Sequence, residues 1–189
     1  MSDEIALRRV RRFSRPIVIL LSIALGLVVL VQVPEVIAML FFFHRGGTWH
    51  ATVASSAEGI GLSIPGHAPD VMLESLSFGQ RSALALLAAL CAACGGLAIF
   101  HLRQLFALYS RGEVFAAANI GHIKQFGLWL AASGIVVNVA DRLFPVITGQ
   151  PTHGFANAAM AFVYGAMTWV VAHVMDLGRQ ADVERKEFI

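Results

Sequence analysis

Residues 16–43 read Pro16-Ile-Val-Ile-Leu-Leu-Ser22-Ile-Ala-Leu-Gly26-Leu-Val-Val-Leu-Val-Gln32-Val-Pro34-Glu35-Val-Ile-Ala-Met-Leu-Phe-Phe-Phe43. A helix needs about 20 apolar residues to cross a hydrocarbon core about 30 Å thick, and this run supplies more than that. Arg8, Arg9, Arg11 and Arg12 precede it, as in a secretory signal. A signal's apolar stretch is only about 7–15 residues, however, so this run is read as a retained span. Three more segments have the same character: 82–109, 123–147 and 155–175. Lipid offers the backbone no hydrogen-bond partner, so each is expected to be a helix.

The whole composition agrees. The chain has 189 residues, of which 57% are hydrophobic and 14% charged, with a mean hydropathy of +0.71. Soluble domains carry about 25% charged residues. The expected fold is an all-α integral membrane protein: a single domain over 1–189, a bundle of four transmembrane helices packed as one compact unit. A long outer loop, 44–81, is rich in Gly and Pro. Within it Thr48–Val53 and Gly61–Ile64 read as short strands. Residues 110–122 form an inner loop, 148–154 an outer turn, and 176–189 a charged tail that continues the fourth helix.

Charge placement sets the orientation. With the N-terminus inside, Arg8, Arg9, Arg11, Arg12, Arg15, Arg103, Arg111, Lys124, Arg179, Arg185 and Lys186 are cytoplasmic. Arg45, Arg81 and Arg142 lie at the outer side. Basic residues concentrate in cytoplasmic segments, so both termini are expected in the cytoplasm of a bacterial inner membrane. The basic residues Arg103, Arg111 and Lys124 favour anionic lipid at that side.

Without a hydrophobic drive between helices, small residues that permit close approach become the contact faces. The second segment offers Ala85, Ala89 and Ala93, flanked by Ala88, Ala92, Gly95 and Gly96. The third offers Gly127, Ala131 and Ser133-Gly134, the fourth Ala161 and Gly165. The same faces serve a bundle or a homo-oligomer equally well. Cys91 and Cys94 have C-x-x-C spacing but sit in an apolar run without a polar ligand nearby, and read as small packing residues.

Ionisable groups at membrane depth are costly and therefore candidates for function. Glu35, Asn138, Asp141, Arg142 and Asn157 fall in the outer half of their segments, with Glu35 and Arg142 the natural ion pair. Two readings stand: an ion, proton or small-ligand site of a transporter or channel component, or a structural ion pair near the headgroups beside a helix kinked at Pro34. Small multidrug transporters use a lone Glu in the first of four helices, but their dual-topology members lack so strong a charge bias. His101 and His173 lie near the inner ends of their segments and could ligate a haem, giving a redox protein as a third reading. In the outer loops, His44, His50, His67 and His153 lie among Glu58, Asp70 and Glu74 without a recognised metal spacing. No nucleophile, acid–base pair or phosphate loop is apparent, so neither an enzyme nor a cofactor is expected.

The most distinctive stretch is Leu102-Arg-Gln-Leu-Phe-Ala-Leu-Tyr109-Ser-Arg111-Gly112-Glu113-Val-Phe115-Ala-Ala-Ala-Asn119-Ile-Gly-His-Ile-Lys124-Gln-Phe-Gly127. Gly112 suits a helix end, Asn119 an N-cap, and Phe115 can dip into the headgroup layer. The order Gly112, Phe115, Asn119, Lys124, Gly127 resembles the bacterial four-helix membrane family labelled domain of unknown function 2975. The length, the four spans and the closing Glu184, Glu187, Phe188 and Ile189 are similar too, although Arg185-Lys186 interrupt the acidic run and an expected Asn is missing. The resemblance implies architecture more than activity. It also implies a cytoplasmic partner such as a helix-turn-helix regulator, without direct nucleic-acid binding by this chain. The leading expectation is a non-enzymatic regulatory or interaction protein. Its docking surface would be Tyr109, Arg111, Gly112, Glu113, Phe115, Asn119 and Lys124, together with the tail.

Overall fold

The computed structural model describes the backbone of residues 2–41, 50–53, 60–63, 71–72, 76–113, 117–149 and 156–187, and the side chains of 11–37, 39–40, 76–113, 117–149 and 159–180. Four helices make up the membrane part: α1 (Ser2–Phe41), α2 (Phe78–Arg111), α3 (Ala117–Thr148) and α4 (Ala156–Glu187). All four are long and apolar enough to cross a membrane. This is a multi-pass membrane protein by length and composition. Between α1 and α2 three short strands pair antiparallel in the order β2-β1-β3: β1 (His50–Val53), β2 (Ile60–Ser63) and β3 (Val71–Met72).

The helices outrun their apolar segments. At about 1.5 Å per residue, the 34 residues of α2 span about 51 Å, well beyond the hydrocarbon thickness. Hydropathy marks where lipid is. It does not mark where a helix stops, because charged and small residues extend the hydrogen-bonded ladder into water. α1 accordingly begins at Ser2, and α3 begins at Ala117 rather than near 123. The inner loop expected over 110–122 contracts to 112–116.

α2 starts and stops on recognisable chemistry. Ser77 caps its first turn: the Gln80 N–H donates to Ser77 Oγ, and the Ser77 N–H donates to Gln80 Oε1 at 2.8 Å. Gln80 Nε2 also donates to the Ile147 carbonyl at 2.6 Å, tying the start of α2 to the end of α3. α2 ends at Gly112, whose φ of 91° is left-handed and suits glycine.

Packing is sequential. α1 lies on α2, α2 on α3 and α3 on α4, while non-consecutive helices share only marginal contacts. The expected compact bundle is thus an open row, since lipid covers apolar flanks and nothing forces α1 and α4 to meet. Large apolar side chains are exposed along both outer helices, among them Leu20, Leu27 and Leu30 on α1 and Phe162, Met167 and Val171 on α4. A buried cluster of Met39, Ala85, Leu87, Ala88 and Ala140 joins α1, α2 and α3 at one end. The expected stripe of Ala85, Ala89 and Ala93 is only partly used. Ala85 and Ala88 are buried and Ala93 is exposed, because α2 serves two neighbours and spreads its contacts over two faces.

The tightest contact joins α3 and α4. A Cβ added to Gly165 would fall 2.6 Å from the Gly127 carbonyl oxygen and 2.8 Å from Ala131 Cα. A Cβ added to Gly127 would fall 2.8 Å from both the Gly165 oxygen and the Trp169 nitrogen. These neighbours are backbone, which cannot swing aside. Gly165→Ala and Gly127→Ala should each destabilise the protein by roughly 1–3 kcal/mol, the range for overpacking a tight site. Gly26→Ala meets nothing within 4 Å and should be neutral or slightly stabilising. Unfolding in detergent–denaturant mixtures checks this; a Gly165→Ala protein as stable as Gly26→Ala would contradict the close crossing.

Candidate functional site

The start of α1 and the end of α4 lie at the end of the bundle that carries the α2–α3 corner. Arg11 near the start of α1 reaches the end of α2, and Asp176 near the end of α4 reaches Lys124 near the start of α3. The corner is built from the backbone outward. The Gly112 N–H donates to the Tyr109 carbonyl at 3.0 Å and the Glu113 N–H to the Leu108 carbonyl at 3.1 Å, so the last carbonyls of α2 are satisfied. The Arg111 carbonyl accepts from Arg11 Nη2 at 2.7 Å. Arg11 Nε lies 3.4 Å from where a Gly112 Cβ would stand, so glycine serves both the φ and the approach of this side chain.

Asn119 closes the corner from the other side. It is 2% exposed, and its Nδ2 donates to the Glu113 carbonyl. The expected N-cap role is therefore corrected: Asn119 is the third residue of α3, inside the first turn, and acts as a donor to the loop instead of an acceptor for the helix. Arg111 and Glu113 are exposed. Tyr109 packs edge-on to Phe106 at 5.8 Å. Phe115 lies outside the described residues, as do the side chains of the tail beyond 180. Lys124 is spent within the bundle: its Nζ lies 2.7 Å from Asp176 Oδ2, and Asp176 Oδ1 faces Arg179 Nη2 at 3.4 Å. Among the seven residues expected to dock a partner, Gly112 and Asn119 therefore hold the corner, Lys124 ties α3 to α4, and Arg111 and Glu113 are presented to the surroundings.

The polar residues expected at the outer side are distributed over three helices, α1, α3 and α4. Glu35 on α1 and Asp141 on α3 are each half-buried with one carboxylate oxygen shielded from solvent. Asn138 Nδ2 donates to the Gly134 carbonyl of its own helix at 2.8 Å. Arg142 is exposed, and the Asn157 side chain lies outside the described residues. Asp176 forms ion pairs with Lys124 and with Arg179.

The histidine pairing also differs from the expected one. His101 meets His122, not His173. The two Nδ1 atoms are 3.3 Å apart across the α2–α3 interface, with ring centroids at 5.6 Å. That centroid separation is about what two rings give when their Nδ1 atoms point head-on, so one ring donates and the other accepts. His173 is instead exposed and stacked on Trp169, with centroids 5.7 Å apart and planes 1° from parallel. No group of three or more metal-ligating side chains occurs among the described residues. The side chains of the outer-loop histidines and carboxylates lie outside them. Cys91 and Cys94 are not disulfide-bonded; Cys91 is half-buried and Cys94 buried.

Sequence reasoning missed the partners of several residues: His122 for His101, Asp176 for Lys124, Ser22 for Arg103, and Arg11 over the corner. Opposite charge at matching depth was a readable signal for Lys124 and Asp176. No such signal exists for a serine facing an arginine. No family model, no curated protein and no solved structure matches this chain.

The Lys124–Asp176 pair is about three-quarters buried on both sides. Lys124→Met and Asp176→Asn should each destabilise, and the double variant should lose less than the sum, with a coupling on the order of 1 kcal/mol. A double-variant cycle measured by unfolding in detergent tests this, additive losses counting against it.

Proposed function

We propose that this chain is a non-enzymatic regulatory or interaction protein of a bacterial inner membrane, with both termini in the cytoplasm and the α2–α3 corner as its docking surface. The observation that carries the reading is the restraint on that corner. Its glycine is left-handed, its carbonyls are capped, Arg11 spans it from α1 and Asn119 holds it from α3. A helix end braced in advance loses little entropy on binding, which is what a recognition surface gains from such bracing. Arg111 and Glu113 stand exposed on it with opposite charges, which suits a partner of complementary polarity.

The orientation rests on the concentration of Lys and Arg at this end, by the positive-inside tendency. The resemblance to domain of unknown function 2975 suggests a cytoplasmic regulator with a helix-turn-helix as the partner class. A small transporter or channel component is the second reading, and it draws on the shielded oxygens of Glu35 and Asp141. The Asn138 amide, bonded to its own helix, weighs against a gathered site there.

A photoreactive residue placed at Glu113 should yield one discrete adduct in native membranes, and the same residue at lipid-facing Val174 should not. Smeared or identical patterns from the two positions would remove the docking reading. Loss of a transport phenotype in Glu35→Gln, with an intact adduct pattern, would move the function to the second site. Single cysteines at Arg12 and at Gly149 should label with a membrane-impermeant reagent only from opposite sides.

A further inference from the structure

The two halves of the cytoplasmic end treat positive charge differently. In the α3–α4 half, Lys124 and Arg179 both face Asp176. In the α1–α2 half, Glu35 is the one carboxylate among the described side chains of the two helices, and it lies far from Arg11, Arg12, Arg15, Arg103 and Arg111. Glu35 lies 13 residues from Ser22 on α1, about 20 Å along the axis. Glu113 lies beyond the end of α2, ten residues from Arg103, or about 15 Å.

Arg103 is the unusual member. It sits eight residues before the end of α2, about 12 Å below it, and is half-buried against α1. Its Nε donates to Ser22 Oγ at 2.7 Å, and that hydroxyl donates to the Val18 carbonyl at 2.6 Å. The guanidinium is thus pinned by one edge, while its Nη groups bond to none of the described residues. A charged group at this depth is costly unless an anion or water reaches it.

The surroundings select the anion. Residues 11, 15 and 22 of α1 fall on one helical stripe, since steps of four and seven residues return to the same face. Arg11 and Ser22 both bond to α2, so Arg15 lies along the same seam, about two turns above Ser22, and it is exposed. Next to the seam, Ile19 and Ile23 of α1 and Phe100 of α2 are exposed and apolar. A soluble anion gains nothing from those side chains. A phospholipid presents its phosphate to the arginines and lays an acyl chain along them.

We propose that the α1–α2 seam at Ser22 and Arg103 is a binding site for one anionic phospholipid, its phosphate held by the free fork of Arg103 and by Arg15. Arginine suits this role because its parallel N–H groups match two phosphate oxygens, whereas lysine offers a point charge. Ser22 is a positioning residue that aims the fork.

The test is native mass spectrometry of the full chain in mild detergent, titrated with phosphatidylglycerol or with phosphatidylcholine of the same acyl chains. One phosphatidylglycerol should be retained in preference to phosphatidylcholine. Arg103→Lys keeps the charge and should weaken that retention about tenfold, the value of one charge-assisted hydrogen bond. Ser22→Ala, which removes only the hydroxyl, should weaken it several-fold. Arg12→Gln, off the stripe, should leave it unchanged. Equal retention of both lipids, or undiminished retention by both Arg103→Lys and Ser22→Ala, would falsify the site. Displacement of the lipid by millimolar inorganic phosphate would also overturn it, reassigning the arginines to a soluble anion. Thermal unfolding of each variant separates lost binding from lost folding, and Ser22→Ala carries the test if Arg103→Lys does not fold.

Discussion

The rest of the arrangement depends on the contact of α3 with α4 at Gly127 and Gly165, where backbone meets backbone. Lipid gives apolar side chains no reason to leave it, so helices associate through dispersion at short range and through polar links. Two missing side chains allow that range. Once α3 and α4 cross there, Lys124 and Asp176 are brought level and pair. The crossing thus does by packing what the ion pair alone would do poorly, since a partly buried pair roughly offsets its own desolvation. The pair then serves registration: a slip of one turn would strand both charges.

α1 and α2 solve the same problem with different chemistry. Their interface has no glycine crossing; Gly96 only touches the Leu25 side chain, 3.9 Å from where its Cβ would be. It is tied instead by two arginines in opposite directions. Arg11 of α1 donates to a backbone oxygen of α2, and Arg103 of α2 donates to a hydroxyl of α1. At the far end apolar packing takes over, with Met39 fully buried among Ala85, Leu87, Ala88 and Ala140. One end of the protein is therefore polar and the other packed. Gln80 is the polar exception at the packed end, joining a helix cap to the Ile147 carbonyl with one side chain.

This division explains what the sequence revealed and what it withheld. The four spans were legible because hydropathy sums over about 20 residues, and no local accident hides such a sum. Gly127, Ala131 and Gly165 were legible as contacts because small residues four apart line one helix face, although a helical glycine alone is no guide: Gly26 and Gly95 meet nothing. The alanines of α2 misled, since alanine suits a contact face, a lipid face and a helix interior alike, and Ala93 is in fact exposed. Asn119 misled for a related reason. Its amide can accept as a cap or donate to a loop, and only the position of the Glu113 carbonyl decides. The His101–His122 contact needed the α2–α3 register, which the loop length sets, and the expected loop was too long by nearly two turns of α3.

The open row bears on self-association. The small residues singled out in α3 and α4 are spent inside the chain: Gly127, Ala131 and Gly165 face one another, and Ala172 is fully buried. What the outer helices offer is bulky instead, with Leu20, Leu27 and Leu30 on α1 and Phe162, Met167 and Val171 on α4 exposed. Such flexible surfaces keep a helix partner at a distance and lose little to fluid acyl chains. Lipid therefore suits both flanks as their cover. That leaves the α2–α3 corner, with its capped helix end and its exposed Arg111 and Glu113, as the surface where a specific contact has the most to gain, because there water, and not lipid, is what a partner displaces.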